Sequence, residues 1–304
     1  MHTSSRNCPI CNDNQVSRFA NVDGFWVVRC QNCEFVFVDI DEATCNEANV
    51  YPEQKLQTYY SYEPVYTLAY YDAIIDTMQN QSLTSKLRIL DFGCGAGMFM
   101  RRARARGHDV HGVDFSPYSA AASTMFGLNI HNVDIANCTF DLESFDVIIS
   151  HATYEHLFNP LSITNDLLKF LKPDGLFVIT GVPNFNSIQI QWFKNFYCNG
   201  LGHVNHYNPA SLRRLFVESG LAPIKIRGYG VPIWWLLDRI YTIRSGSVTT
   251  NPEVASEKTD SKNLIALYDT YKPTRFERFV SWLYTNAPPS FISLSLEAWG
   301  RKMP

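Results

Sequence analysis

The run Leu87-Arg-Ile-Leu-Asp-Phe-Gly-Cys-Gly-Ala-Gly97 decides how the rest of the chain is read. A short apolar stretch ending in the carboxylate of Asp91 has the form of a buried parallel strand. Gly93, Gly95 and Gly97 then turn the chain with almost no side chains before an Ala/Met/Arg-rich helix, expected over Met98 to Gly107. Backbone amides in such a turn, Cys94 among them, can close on a ligand because no Cβ stands in the way. The spacing also narrows the ligand, since a dinucleotide fingerprint needs a third glycine at its sixth position and this chain has Met98 there. After the helix, Asp109-Val-His-Gly-Val-Asp114 is a second short strand ending in a carboxylate, about 20 residues beyond the first glycine, where an acid grips two ribose hydroxyls.

Asp91, Gly93, Gly95 and Gly97 match, position by position, the first motif of the class I S-adenosylmethionine (SAM) methyltransferases, which the sequence therefore resembles. The resemblance implies an α/β fold, a doubly wound Rossmann-like seven-stranded sheet, with SAM as cofactor. It implies cofactor contacts from Asp91, Gly93, Cys94, Gly95 and Gly97 toward the methionine end and from Asp114 to the ribose. Phe115, Ser116, Asp134 and Ile135 fall on the adenine side, and His151 falls at the border of the reaction. The remaining strands are expected at Leu128 to Val133, Phe145 to Ser150, Leu176 to Val182 and Leu221 to Tyr229. The tail from Phe291 looks like the seventh, which in the family runs antiparallel between strands five and six.

Composition bounds the class. A chain of 304 residues with 46% hydrophobic residues can bury a large core plus a small appendage. A net charge of −3 and a pI near 6.2 supply no positive field for nucleic acid, so no nucleic-acid partner is expected. The one basic run, Arg101 to Arg106, reads as a solvated helix face. The longest apolar run, Val231 to Leu237, is seven residues including a proline, too short for a transmembrane segment, and the N-terminus shows no apolar signal core. These features point to the cytoplasm.

Upstream, Cys8-Pro-Ile-Cys11 is followed after 18 residues by Cys30-Gln-Asn-Cys33. Two Cys-x-x-Cys knuckles at that separation turn four thiolates toward one tetrahedral ion, and the β-patterned residues Gly24 to Arg29 and Glu34 to Asp39 complete a zinc ribbon over residues 1–45. Four thiolates leave no open position, so the zinc is structural. Residues 46–84 form an aromatic connector, with Tyr51, Tyr59, Tyr60 and Tyr62 at a domain seam or a pocket lid, and a helix from Pro64 to about Gln79. Residues 85–304 form the methyltransferase domain, with a helical insertion at about 231–287 that would cap the pocket, form a homodimer seam or touch a membrane surface. A ribbon followed by such a connector and domain resembles methyltransferases of sugar and natural-product gene clusters.

The segment after the fourth strand, His151-Ala-Thr-Tyr154-Glu-His156, borders the reaction because ligands of open parallel sheets lie beyond the carboxyl ends of the strands. It lacks the Asn/Asp-Pro-Pro-Tyr/Phe run of exocyclic-amine methyltransferases, and no Pro-Cys nucleophile of cytosine-C5 enzymes is present, Cys198 following tyrosine. Farther on, Gly202-His203-Val-Asn-His206 resembles the catalytic segment of deoxysugar C-methyltransferases, with Gly202 in place of the glutamate and His206 in place of the tyrosine. A hydroxyl nucleophile needs its proton taken in the transition state, and histidine is suited to that, so His203 and His206, with Tyr154, are the catalytic candidates. No carboxylate cluster accompanies the histidines in sequence, which argues against a metal among them. The reading is transfer of a methyl group to a small-molecule acceptor, a hydroxyl of a sugar or secondary metabolite. Sugar C-methylation, RNA methylation with a zinc ribbon, and a non-catalytic scaffold are the alternatives.

Overall fold

The computed structural model describes residues 2–3, 6–22, 24–48, 65–187, 202–230 and 294–304, with 272, 275 and 278 singly. Expectations for Tyr51, Tyr59, Tyr60, Tyr62, Cys198 and the insertion at 231–287 lie outside the described residues.

The larger sheet has seven strands in the order β11-β12-β9-β8-β5-β6-β7. Its centre is β5 (Arg88–Phe92), paired in parallel with β6 (Asp109–Val113) on one side and β8 (Phe145–His151) on the other. The strand order reverses at β5, which puts the crevice for a ligand at its carboxyl end. β7 (Ile130–His131) extends one edge. On the other side β9 (Leu171–Pro183) pairs in parallel with β8, and β12 (Ser295–Lys302) lies antiparallel between β9 and β11 (Leu221–Tyr229). The final strand therefore takes the place expected for it. Helices α2 (Val65–Gln81), α3 (Met98–Ala105), α4 (Pro117–Phe126), α5 (Pro160–Leu168) and α6 (Pro209–Glu218) pack around this sheet. Ile89, Leu90, Val147, Ile148, Ile149, Val178 and Ile179 are fully buried, as central parallel strands covered on both faces require.

Several bounds differ from the sequence reading for local reasons. β7 is two residues long, at the edge of the sheet. β9 starts at Leu171, before the Lys172-Pro-Asp-Gly175 turn. That turn survives inside the strand as a register shift between Phe145 and Val147 of the partner, with Asp174 at φ 61°. The basic run is not a solvated face. Arg101 is 1% exposed with its guanidinium over the Phe126 ring, and Arg102 is buried in a bidentate pair with Asp72 of α2, at 2.6 and 2.7 Å. Arg106 adds bonds to Asp72 and Asp76, so the run fastens α3 to α2.

The smaller sheet runs β1-β2-β3-β4-β10, from β1 (His2–Thr3), β2 (Gln15–Val22), β3 (Phe25–Cys30), β4 (Val36–Val38) and β10 (Asn205–His206). β2 escaped the sequence reading because it is largely exposed and its Arg18 and Asn21 break the apolar pattern. β10 joins two parts of the chain. Asn205 pairs with Phe37 and His206 with Val36, so a segment after the fifth parallel strand completes the N-terminal sheet. After β4, α1 (Glu42–Ala48) leads back toward the large sheet, with Cys45 buried.

Candidate active site

A cleft of about 370 Å³ opens at the carboxyl ends of β5, β6 and β8. Gly93, Asp114, Phe115, Ser116, Asp134, Ile135, Thr153 and His156 line it, and Glu42 and Asn46 of α1 reach it from the N-terminal module. Six of the eleven expected cofactor residues thus share one cleft. The other five do not line it. Asp91 is buried under the turn, Gly95 faces the Tyr118 hydroxyl, Gly97 faces Leu128, and Cys94 lies against Gly112. His151 is packed between Tyr70 and Tyr71, at 6.2 and 5.6 Å between ring centroids.

The glycine turn works differently from a nest of open donors. The amides of Gly93 and Cys94 donate to the Val113 carbonyl at 2.8 and 3.4 Å, and that of Gly95 donates to Asp114 Oδ2 at 2.8 Å. These bonds lock the end of β5 to the end of β6. What the turn contributes to the cleft is closeness. All three glycines have positive φ, and a Cβ on Gly93 would come within 2.9 Å of the Thr153 Cβ.

Asp114 is held in place by the same bonds. Its Oδ1 accepts from the Ser116 amide at 2.8 Å and the Ser116 hydroxyl at 2.5 Å. A carboxylate has about four lone-pair sites. Three are used, and the cleft-facing acceptor capacity that remains suits a hydroxyl donor. Phe115, 64% exposed at the mouth, faces a cleft whose other lining includes the buried Ile135. An exposed aromatic ring and an aliphatic side chain lining one cleft suit a flat apolar-faced group. Asp134 caps the turn Ile135–Asn137 through the Ala136 amide, 2.8 Å from Oδ1. Beneath, burial first and the Asp114 charge second push the Asp91 carboxyl up to about 8. It would welcome a cation. The cleft therefore fits an adenosyl group bearing a cationic tail.

Beside the cleft, the turn Tyr154–His156 and the segment from Gly202 are bound together. The Val204 amide donates to the Glu155 carbonyl at 2.8 Å, and the Asn205 side-chain amide donates to the carbonyls of Tyr154 and Leu157 at 3.2 and 2.6 Å. His203 and His156 meet with ring centroids 4.9 Å apart. Glu155 joins them, its carboxyl pushed up to about 8 by burial. Burial, then His203, lowers His156 to about 4, and burial lowers His203 as well, so both rings are neutral at pH 7. The carboxylate missing from the sequence argument was Glu155, inside the run already quoted. Its distance from His203 along the chain hid the pairing.

The other two catalytic candidates are placed elsewhere. His206 is buried in β10 against the Phe185 ring, 5.6 Å away, and is lowered to about 3 by burial and by His203. Tyr154 is fully buried, its hydroxyl 2.8 Å from Thr164 Oγ1 and its titration pushed up by desolvation. None of the three catalytic candidates lines the cleft: His203 packs against the His156 ring, which does.

The four knuckle cysteines converge as expected. Cys8 and Cys33 Sγ are 3.5 Å apart, as are Cys11 and Cys30, and the four sulfurs lie within 4.8 Å of one another. A disulfide would bring a pair to about 2.05 Å. Four sulfurs at about 2.3 Å from a tetrahedral zinc stand about 3.8 Å apart, so the cluster fits that ion.

With this geometry in view, comparison with known proteins is direct. A family model described as "Methyltransferase domain" matches residues 66–226, which spans α2 to β11. The chain belongs to this methyltransferase family. Among curated relatives of this methyltransferase, the ubiquinone biosynthesis O-methyltransferase of Cereibacter sphaeroides is 27% identical over 183 residues, covering 55% of this chain and 74% of that protein. The protein of the same name from Maricaulis maris is 24% identical over 187 residues, covering 56% and 74%. Among solved structures, the plantazolicin methyltransferase BpumL in complex with SAH superposes with a TM-score of 0.54 over 86% of this chain and 95% of that one, at 18% identity. It shares the fold. No described helix is long and apolar enough to cross a membrane.

Proposed function

We propose that this methyltransferase moves a methyl group from SAM to an oxygen of a small-molecule acceptor, a hydroxyl of a sugar or secondary metabolite. The observation that carries the proposal is one cleft lined by Gly93, Asp114, Phe115, Ile135, Thr153 and His156. SAM, when bound, supplies a methyl group on a sulfonium. Asp114 accepts from a ribose hydroxyl, Phe115 and Ile135 enclose the adenine with Asp134 at its edge, and Asp91 lies below the tail, where a cation would favour loss of its proton. The attacking hydroxyl gives its proton to the neutral imidazole pair, with His203 as acceptor and His156 beside it. In-line positioning supplies much of the rate. The names of the curated relatives, O-methyltransferases, support oxygen as the acceptor atom.

The same proposal divides the chain into ribbon (1–45), connector (46–84) and catalytic domain (85–304), with structural zinc on Cys8, Cys11, Cys30 and Cys33. In it the ribbon backs the catalytic wall through β10, and the protein works in the cytoplasm. The test is incubation with methyl-labelled SAM and a panel of hydroxylated sugars and phenols, followed by mass spectrometry. Label on an acceptor oxygen, abolished in His203→Ala, is expected. Label on carbon, on nitrogen or on added RNA would overturn the reading.

A further inference from the structure

Glu155, His156 and His203 are used above only as a basic wall, yet their arrangement asks for more. One donor atom from each lies within 4.8 Å of the others. Their backbones are pinned by the Val204–Glu155 and Asn205 bonds already described and by Cys45, whose thiol donates to the His156 carbonyl at 3.5 Å. Glu155 is buried and its Oε2 has no hydrogen-bond partner among the described residues; the same holds for His203 Nδ1. No lysine or arginine pairs with Glu155 among the described residues, and the His156 imidazole, neutral at pH 7, stands with Nε2 3.9 Å from Oε1. Buried polar atoms without partners are rare. A cation at the centre of the three groups would engage the Glu155 oxygen and an imidazole nitrogen from each histidine.

We propose that Glu155, His156 and His203 bind a divalent transition-metal ion. Two imidazoles and a carboxylate suit zinc, cobalt, manganese or iron, whereas magnesium and calcium prefer oxygen alone. Ligand bonds of about 2.0–2.2 Å require donor separations of about 3.5 Å, so binding draws the three side chains together by about 1 Å. Three protein ligands leave a fourth position open, unlike the closed four-cysteine site. His156 borders the cleft, so that position takes an oxygen ligand, water at rest or an acceptor hydroxyl. The consequence for catalysis rests on the oxygen-acceptor reading; the binding itself does not.

The experiment titrates the full-length protein, its cysteine site already filled with zinc, with Co2+ alone, followed by absorption and calorimetry. One further equivalent is expected, showing d–d bands without a thiolate-to-cobalt charge-transfer band. Glu155→Gln and His203→Gln, which retain the cysteine-site zinc, should each weaken it about tenfold or more. No second equivalent in the wild type, or one unaffected by either variant, overturns the proposal. Should a variant fail to fold, pulsed electron paramagnetic resonance of Mn2+-loaded wild type decides, imidazole nitrogen modulation supporting the site and its absence refuting it. All readouts are independent of turnover, so a failed methyl transfer and a failed metal site are told apart.

Discussion

Placing a single methyl group on Gly93 tests how the cleft floor is built. Gly93 has φ 71°, and an added Cβ would lie 2.9 Å from the Thr153 Cβ and nearer still to its Oγ1 and Cγ2. Thr153 cannot swing away freely, because its Oγ1 donates to the His151 carbonyl at 3.0 Å. The left-handed backbone costs alanine about 1–2 kcal/mol, offset by about 0.4–1 kcal/mol from a stiffer unfolded chain. Overpacking adds about 1–3 kcal/mol, so Gly93→Ala should lose about 2–4 kcal/mol in all. Gly127 provides the control. It ends α4 at φ 58° with nothing within 4 Å of the added Cβ, so Gly127→Ala should lose about 1 kcal/mol from strain alone. Urea denaturation of both variants, with calorimetric titration of S-adenosylhomocysteine, reads the difference. The floor variant should also bind about tenfold more weakly or worse. Equal midpoints for the two variants together with wild-type affinity for Gly93→Ala would refute the reasoning.

Other consequences follow from buried charge and from the seam. Asp91 is held protonated to about pH 8, so the folded state binds a proton that the unfolded state releases near pH 4. Stability of the ligand-free protein should therefore fall as pH rises from about 4 through about 8, and Asp91→Asn should flatten that slope in denaturation measured across the range. Asp72→Ala strands the buried Arg102 guanidinium and should cost about 3–5 kcal/mol by urea denaturation, whereas a solvated helix face would lose almost nothing. Stripping the metal from Cys8, Cys11, Cys30 and Cys33 should release β4 and with it β10, so hydrogen exchange of the Asn205 and His206 amides should rise by orders of magnitude while β5 stays protected.

Local pattern made much of this architecture readable. Leu87 to Gly97 and Asp109 to Asp114 carry strand, turn and acid within a few residues, and the two cysteine knuckles carry their own geometry, so each could be recognised without tertiary knowledge. What could not be read was contact between distant segments. β10 is two residues long and exists because Val36 and Phe37 are there to pair with it. The Arg102–Asp72 pair joins residues 30 apart on different helices, and its charges look like surface in a one-dimensional pattern. The grouping of Glu155 with His203 depends on the Val204 backbone bond and the Asn205 side-chain bonds, which no spacing encodes. The glycine turn is legible in the sequence, but its use as a clamp between β5 and β6 rests on the Val113 carbonyl and on Asp114.

The central claim is that the crevice between the Gly93 turn and Asp114 holds the methyl donor, and equilibrium dialysis against labelled SAM measures it most directly. One molecule retained per chain is expected. Asp114→Ala should weaken retention about tenfold or more, since a hydrogen bond to a charged group at about 1.5–3 kcal/mol is lost. No retention by the folded wild type, or equal retention by Asp114→Ala, would contradict the account.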